Sequence, residues 1–235
     1  MKLNGATIPD DVVSRVLARR GTLHCFAALE PARTALVVID LQRAFMDEAV
    51  GHAVIPAARD IVPAVNTLAD AVRRAGGGVF WVKNTHDARC LDEWSVAQEM
   101  ATPAMRQRRI DAMSADMAGH ELWPTLDVRA EDAVVLKYRY SAFLPGASEL
   151  PGMLRARGFD TVLITGTVTN VCCESSARDA MMMNFRTIMV SDANAAASQA
   201  EHDASLTAFY NVFGDVMDVD MTIGCLRGDT TAAGG

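Results

Sequence analysis

The sequence predicts an α/β fold, built on a parallel sheet that helices cover on both faces. Short apolar runs rich in β-branched residues recur along the chain, and each is followed by a turn or a helical pattern. These runs are continuously apolar rather than alternating, which is typical of strands buried on both faces. Strands of this kind that alternate with helices favour a parallel sheet.

Six segments are predicted to be strands. Four are clear apolar runs: Ala35–Ile39, Gly78–Val82, Ala133–Leu136 and Thr161–Thr165. Arg186–Val190 and Val216–Val219 have a similar composition and complete the set. Because ligands bind beyond the carboxyl ends of the strands in such sheets, we expect the functional residues directly after these runs.

The helices between the strands are predicted from periodicity, most clearly at Asp60–Ala75. Its apolar positions recur every 3.6 residues: Ile61, Val65, Leu68 and Val72. Gly76–Gly78 should end this helix, and Pro63 is compatible only with its first turn. The run Met181–Met183, on a later helix, is expected to fill the core.

The chain is predicted to form one domain with short appendages. Residues 31–228 hold all of the predicted strands, and no repeat, linker or change in composition divides them. Residues 1–30 precede the first strand, and we expect them to pack as an N-terminal arm on the domain or on a neighbouring subunit. Residues 229–235 are predicted to form a flexible tail.

Composition and charge exclude several classes of protein. Lys and Arg number 22 against 29 Asp and Glu, and the net charge of −7 argues against a nucleic-acid or anionic-lipid partner. No apolar run reaches the roughly 18 residues of a membrane span, and the N-terminus lacks the apolar segment of a secretion signal. We therefore expect a cytoplasmic protein that acts on a small molecule.

Cysteine and histidine usage argues against crosslinks and metals. The five cysteines are an odd number in a chain large enough to fold without disulfides. No CxxC pair or Cys/His cluster occurs at zinc spacing, and the five histidines show no i, i+4 or DxH pattern. The sequence therefore predicts no metal and no cofactor, and it leaves open that one thiol is reactive.

Two charged residues directly follow predicted strands. Asp40 ends the run VVID, where burial would raise the pKa of its carboxyl and suit it to proton transfer, although it could instead cap the next helix. Lys137 follows VVL, where it needs an acidic partner unless its ammonium group reaches solvent at the sheet edge. If the two lie on neighbouring strands, we expect them to pair.

The segment Gly166–Ala180, GTVTNVCCESSARDA, carries the most information. A strand ends at a glycine, and a helix begins with small polar residues and a thiol in its first turn. Free N–H groups at a helix N-terminus should lower the pKa of that thiol and could also hold an oxyanion. Adjacent helical residues point about 100° apart, so only one of Cys172 and Cys173 can face the site.

These residues together resemble the isochorismatase-like cysteine hydrolases over about 35–219. The resemblance lies in IDLQ at Asp40, LKYRYSAF at Lys137 and the GTVTNVCCESSARDA segment. It implies a Rossmann-like three-layer αβα sandwich with a six-stranded parallel sheet, and a catalytic triad of Asp40, Lys137 and Cys172. It also implies a cis peptide between Thr167 and Val168, with the backbone amides of Val168 and Cys172 forming an oxyanion hole.

The resemblance also narrows the reaction. Metal-dependent nicotinamidases carry a D-x-H…H pattern where this chain offers only His52, and true isochorismatases lack the cysteine. The chain is similar to amidohydrolases that cleave ureido or carbamoyl groups, such as N-carbamoylsarcosine amidase and ureidoacrylate amidohydrolase. Asn84 and Tyr140 match the latter enzyme, whereas His86 replaces an aromatic residue.

We therefore predict a cysteine-dependent amidohydrolase that cleaves a C–N bond through a thioester or thiocarbamate and releases ammonia or carbamate. Two alternatives remain: an isochorismatase-type vinyl-ether hydrolase and a non-enzymatic thiol redox sensor. The predicted substrate-binding residues are Phe45, Asn84, Trp94, Tyr140 and Phe143.

Three arginines form a further group, Arg106, Arg108 and Arg109. They predict a solvated face, with the alternative that one reaches into the cleft to meet a substrate carboxylate.

The resemblance also bears on assembly. Members of the family commonly form dimers and tetramers, so the resemblance implies a homodimer or homotetramer.

Overall fold

The protein is described by a computed structural model that covers residues 1–229, apart from the side chains at positions 88, 89 and 91. The predicted tail, residues 229–235, lies outside the described residues except for Asp229.

The centre of the fold is a six-stranded parallel sheet, as predicted. Strands β1 (Lys2–Leu3) and β2 (Ala6–Thr7) form a small antiparallel hairpin at the N-terminus. The main strands are β3 (Thr34–Ile39), β4 (Gly78–Asn84), β5 (Ala133–Lys137), β6 (Thr161–Thr167), β7 (Arg186–Ala195) and β8 (Asp215–Met217). Their order in the sheet is β5-β4-β3-β6-β7-β8, and every neighbouring pair is parallel.

Helices flank this sheet along the whole chain. The first six are α1 (Asp10–Arg20), α2 (Arg43–Met46), α3 (Ala57–Asp60), α4 (Val62–Ala75), α5 (Ala88–Glu93) and α6 (Ser95–Glu99). The others are α7 (Pro103–Met113), α8 (Leu150–Ala156), α9 (Glu174–Met182), α10 (Gln199–Val212) and α11 (Val219–Leu226).

Two hydrophobic cores, one on each face of the sheet, make the fold a three-layer αβα sandwich. Strand β3 shows the arrangement: Leu36 and Val38 belong to the core under α3, α4 and α11, whereas Val37 and Ile39 belong to the core under α1, α8, α9 and α10. A strand buried on both sides needs apolar residues at every position. This requirement explains why the strands are continuous apolar runs in the sequence.

Most of the predicted elements are confirmed, with shifted ends. The final predicted strand is wrong at Val219, which begins α11, because the Asp218 side chain accepts a hydrogen bond from the Met221 amide and caps that helix. The predicted helix Asp60–Ala75 is confirmed as α4, which begins two residues later, at Val62, whereas Asp60 is the last residue of α3. Pro63 lies in the first turn of α4, and Gly76, with a φ of 93°, ends it.

The N-terminal arm packs on its own domain. Ile8, Val12 and Val16 are buried in the core beneath α10. Arg20 pairs with the fully buried Asp215 at 3.1 Å and also donates to the carbonyl oxygen of Gly214. The arm is therefore continuous with the main core.

The methionine run on α9 is partly exposed, and the helices also bear on whether the chain could cross a membrane. Met181 and Met182 are 39% and 65% exposed, so the prediction that this methionine run fills the core is wrong for both. None of the helices within residues 1–229 combines the length and the apolar character that crossing a membrane requires.

Candidate active site

Asp40 ends β3 in a constrained backbone conformation. Its φ is 56°, in the left-handed region that aspartate tolerates better than most residues, and its amide donates to Val82 on the adjacent strand at 2.9 Å. The carboxyl group is fully buried. It does not cap the following helix, because α2 begins at Arg43 without a side-chain cap.

Lys137 lies at the end of β5 and is fully buried, so it does not extend to solvent. Its Nζ is 2.9 Å from Oδ2 of Asp40, which confirms that the two residues pair. They pair although their strands are not neighbours, because β4 lies between β3 and β5. The long lysine side chain crosses the end of β4 to reach the aspartate.

Cys172 completes this cluster. It lies in a π-helical turn, residues 169–173, that joins β6 to α9, and its Sγ is 3.5 Å from Nζ of Lys137. The thiol also lies beside the Asp40 carboxyl. Cys173 points the other way into the core, with its Sγ 3.9 Å from the Thr165 carbonyl oxygen. Cys172 is therefore the thiol that faces the site.

Burial dominates the electrostatics of the three groups. It raises the pKa of the Asp40 carboxyl, as predicted, although Lys137 counteracts the effect. Burial lowers the pKa of the Lys137 ammonium, but Asp40 and Cys172 more than compensate and the net pKa is raised. The ion pair is thus the favoured state of the two charged side chains.

The expectation of a lowered thiol pKa is wrong for Cys172. Desolvation raises the pKa of this thiol, and the attraction of Lys137 is opposed by the adjacent Asp40. The side chain is only 3% exposed. Loss of water contact therefore outweighs the helix N-terminus, and Cys172 rests as a neutral thiol.

The backbone before Cys172 forms a tight cradle. The cis peptide between Thr167 and Val168 is present, as predicted. The carbonyl oxygen of Val168 accepts hydrogen bonds from the amides of Val171 and Cys173, at 3.0 and 3.2 Å, whereas the Cys172 amide does not donate to it. Gly166 has a φ of 115°, and a Cβ there would overlap the Ile39 carbonyl, which explains the glycine at the strand end.

A cavity of about 170 Å³ opens over Cys172. Its apolar wall consists of Phe45, Trp94, Met113, Tyr140, Val168 and Val171. The rings of Trp94 and Tyr140 are edge to face, with centroids 4.8 Å apart. The structure therefore places three of the predicted substrate-binding aromatic side chains, Phe45, Trp94 and Tyr140, in one wall of the cavity.

Phe143 does not line this cavity. It is fully buried in the core beneath the sheet and packs edge to face against Phe185, with ring centroids 5.5 Å apart. The chain bends at 138–140 and again at 142–144, where the Ser141 hydroxyl accepts hydrogen bonds from the backbone amides of Phe143 and Leu144. Phe143 thus supports the site from below.

The polar part of the cavity contains the predicted Asn84, one of the three arginines, and two histidines whose place the sequence did not predict. Asn84 lies at the end of β4, as expected, and the others are His52, His86 and Arg109. Arg109 reaches the cleft from α7, which realises the alternative for the three arginines. The histidines could not be found from spacing, since they come from separate loops.

The Gln42 side chain connects the segments next to the site through hydrogen bonds, a role that the sequence did not predict. Its side-chain amide is fully buried. The Oε1 atom accepts a hydrogen bond from the backbone N–H of Asn84 at 2.7 Å, and Nε2 donates to the backbone carbonyl oxygens of Asn84 and His120, both at 3.1 Å. It thereby ties the segment after β3 to the end of β4. Among residues 1–229, no group of three or more His, Cys, Asp or Glu side chains is arranged to hold a metal ion.

Comparison with known proteins places this arrangement in a family. Residues 34–221 match the family described as the isochorismatase domain. Ureidoacrylate amidohydrolase RutB of Klebsiella pneumoniae subsp. pneumoniae is 30% identical over 203 residues, which cover 81% of this chain and 85% of that protein.

Solved structures agree with the sequence match. A cysteine hydrolase from Pseudomonas syringae pv. phaseolicola superposes with a TM-score of 0.73 at 28% identity, covering 86% of this chain and 96% of that one. N-carbamoylsarcosine amidase from Thermoplasma acidophilum gives a TM-score of 0.64 at 28% identity, covering 80% and 97%. The chain belongs to the isochorismatase family of hydrolases.

Proposed function

We propose that the protein is a cysteine amidohydrolase that cleaves a C–N bond of a small ureido, carbamoyl or amide substrate. The observation that carries this proposal is the contact of a buried thiol with a buried lysine–aspartate pair beneath a small cavity. The names of the similar proteins, ureidoacrylate amidohydrolase and N-carbamoylsarcosine amidase, agree with this chemistry.

The first step is attack by the Cys172 sulfur on the substrate carbonyl carbon. Because the resting thiol is neutral, a base must take its proton, and the adjacent Asp40 carboxylate is placed to do so. Lys137 pairs with Oδ2 of Asp40 at 2.9 Å, and the Cys172 thiol lies within hydrogen-bonding reach of the same carboxyl group. Lys137 keeps its charge throughout and stabilises the developing thiolate.

The attack converts the carbonyl oxygen into an oxyanion. We assign its stabilisation to the backbone amides of Val168 and Cys172, which border the cavity floor. When the tetrahedral intermediate collapses, the C–N bond breaks and the leaving nitrogen takes the proton from Asp40. An amide leaves a thioester on Cys172 and frees ammonia, whereas a ureide leaves a thiocarbamate and frees an amine.

Water completes the cycle. Asp40 removes a proton from a water molecule, which attacks the acyl carbon, and the departing sulfur recovers a proton. The product is a carboxylic acid from an amide, or carbamate from a ureide, and carbamate breaks down to ammonia and carbon dioxide. The same carboxyl group therefore moves protons in both halves of the reaction.

The proposal also covers the cellular compartment, the extent of the catalytic domain and the assembly of the enzyme. No disulfide is formed within residues 1–229, which agrees with a reducing cytoplasm. We assign catalysis to residues 31–228, with the arm 1–30 as a structural extension, and propose assembly as a homodimer or homotetramer.

Ammonia release across a panel of substrates tests the reaction class. Ureides, carbamoyl amino acids, primary amides and nicotinamide are compared, and ureido or carbamoyl compounds are expected to give the highest kcat/KM. A protein that releases ammonia from none of them but cleaves a vinyl ether would contradict the proposal.

The pH profile tests the role of Asp40. The ionised carboxylate must accept the thiol proton, so kcat/KM is expected to rise with pH through the pKa of Asp40. Burial raises that pKa, so the rise of kcat/KM is expected at a pH above the usual aspartate pKa of 3.8. A rate that increases only in the alkaline range of cysteine thiols would instead indicate direct ionisation of Cys172.

A further inference from the structure

The cavity has one end that contains hydrogen-bond donors and a cation. Arg109 lines this end, and no carboxylate among the described residues lies within ion-pair distance of its guanidinium group. Its Nε donates to Nε2 of His52 at 3.4 Å. The neighbouring arginine, Arg108, is occupied elsewhere, since its Nε donates to the Gly51 carbonyl oxygen at 2.8 Å. Arg109 is therefore a cation directed at the cavity without a protein counter-ion.

The tautomers of the two histidines beside Arg109 follow from their hydrogen-bond partners. In each case the partner is an N–H group, which can donate a hydrogen bond but cannot accept one. Nε2 of His52 accepts from Arg109, and Nε2 of His86 accepts from the side-chain amide of Gln98 at 3.3 Å. The second nitrogen of each ring, Nδ1, must then carry the proton. Gln98 is held in this orientation because its Nε2 also donates to the Cys90 carbonyl oxygen.

Both rings stay uncharged at neutral pH. Burial and then Arg109 lower the pKa of His52 to about 4 and that of His86 to about 4. The other charged groups near His86 are Asp87 and Arg139, and Arg108 is the other one near His52. This end thus combines one free guanidinium group with two neutral N–H donors, and a second cation there would be repelled by Arg109.

We infer that Arg109, His52 and His86, which line the same cavity as Cys172, form a subsite for a carboxylate on the substrate. A planar guanidinium group binds a carboxylate through two parallel hydrogen bonds, and the ring N–H groups add donors. The inference rests on the proposed function for the scissile end. It narrows the substrate class to small ureido or carbamoyl acids, as opposed to neutral amides.

A pair of substrates that differ only in the carboxylate tests the subsite. N-carbamoyl-β-alanine and propylurea share the ureido group, and kcat/KM is expected to favour the acid by about 10- to 150-fold. In Arg109→Gln this ratio should fall close to 1, mainly through KM, while Arg109→Lys keeps part of it. Arg106→Gln is the matched control on α7, because Arg106 donates to the Ala101 carbonyl oxygen and does not line the cavity.

Binding without turnover separates this inference from the proposed function. Butyrate is expected to raise the Tm of the wild-type protein more than 1-butanol does, which has no C–N bond to cleave, and Arg109→Gln should abolish the difference. Equal shifts for the two compounds, or an unchanged difference in Arg109→Gln, would overturn the subsite even if ureides are hydrolysed. A butyrate-specific shift in a protein that hydrolyses no ureide would keep the subsite and contradict the proposed function.

Discussion

Replacing Cys172 by alanine is expected to lower kcat for ammonia release by at least about 10⁴-fold, because no covalent intermediate can form. The fold should persist, since the cavity already borders this side chain and removal of one sulfur atom leaves little unfilled core. Measurement of ammonia release and of the Tm on the same preparation separates loss of chemistry from loss of structure.

Cys173→Ala is the matched control, because the two thiols are adjacent and both are buried. Cys173 contacts the core and the Thr165 carbonyl oxygen, so its loss is expected to cost about 1 kcal/mol of stability while hydrolysis continues. If Cys173→Ala were inactive and Cys172→Ala active, the assignment of the nucleophile would be reversed. Ammonia release by both variants at the wild-type rate would contradict covalent catalysis by either thiol.

The surroundings of Cys172 also weigh against a redox sensor. Sensor cysteines are accessible and have a lowered pKa, whereas this thiol is 3% exposed and burial raises its pKa. A sensor would also have no use for the buried Asp40–Lys137 pair. Mass spectrometry is expected to detect no reversible sulfenic acid on Cys172 under conditions in which the protein is active.

The sequence predicted that Asp40, Lys137 and one of two adjacent thiols meet, because parallel strands bring their carboxyl ends to one edge of the sheet, and the family resemblance then implied Cys172 as that thiol. Asp40 and Lys137 each follow a buried strand, and the thiol follows another, so topology alone brings the three together. That prediction did not require the correct strand order. The lysine is long enough to reach across β4, so the pair forms although its strands are not neighbours.

The donor-rich end of the cavity could not be predicted, for a physical reason. His52, His86 and Arg109 come from two loops and a helix, and no periodic pattern links them. Their proximity depends on tertiary packing, including the hydrogen bonds of Arg108 to Gly51 and of Gln98 to His86. Sequence spacing carries information about neighbours along an element but little about the meeting of separate loops.

The thiol pKa shows a second limit, since it depends on two opposing effects. A cysteine at the start of a helix gains from the N–H groups there, and this gain is visible in sequence. The cost of burying the thiolate cannot be read from the sequence, because it depends on how completely the surrounding residues exclude water. At Cys172 the burial is nearly complete, so the second effect decides the direction.

Breaking the Asp40–Lys137 pair is expected to cost about 3–5 kcal/mol of unfolding free energy in either single variant, because one charge stays buried without its partner. Asp40→Asn and Lys137→Met are therefore both destabilising. The double variant buries no charge and should be less destabilised than the sum of the two, by about 1–3 kcal/mol. Urea unfolding of the four proteins measures this coupling, and strictly additive losses would contradict a buried ion pair.

The same two variants should change the reactivity of Cys172 in opposite directions. Lys137 lowers the pKa of the thiol and Asp40 raises it, so Asp40→Asn leaves the sulfur beside an unopposed cation. This variant is expected to react faster with iodoacetamide than the wild type near pH 7, whereas Lys137→Met reacts more slowly. Both should nevertheless lose hydrolysis. Asp40→Asn has no carboxyl group to carry the thiol proton to the leaving nitrogen, and Lys137→Met has no cation to stabilise the thiolate. Faster alkylation without turnover would separate thiolate formation from catalysis and identify proton transfer by Asp40 as the indispensable step. Slower alkylation in Asp40→Asn would show that the aspartate promotes ionisation of the resting thiol and does not oppose it.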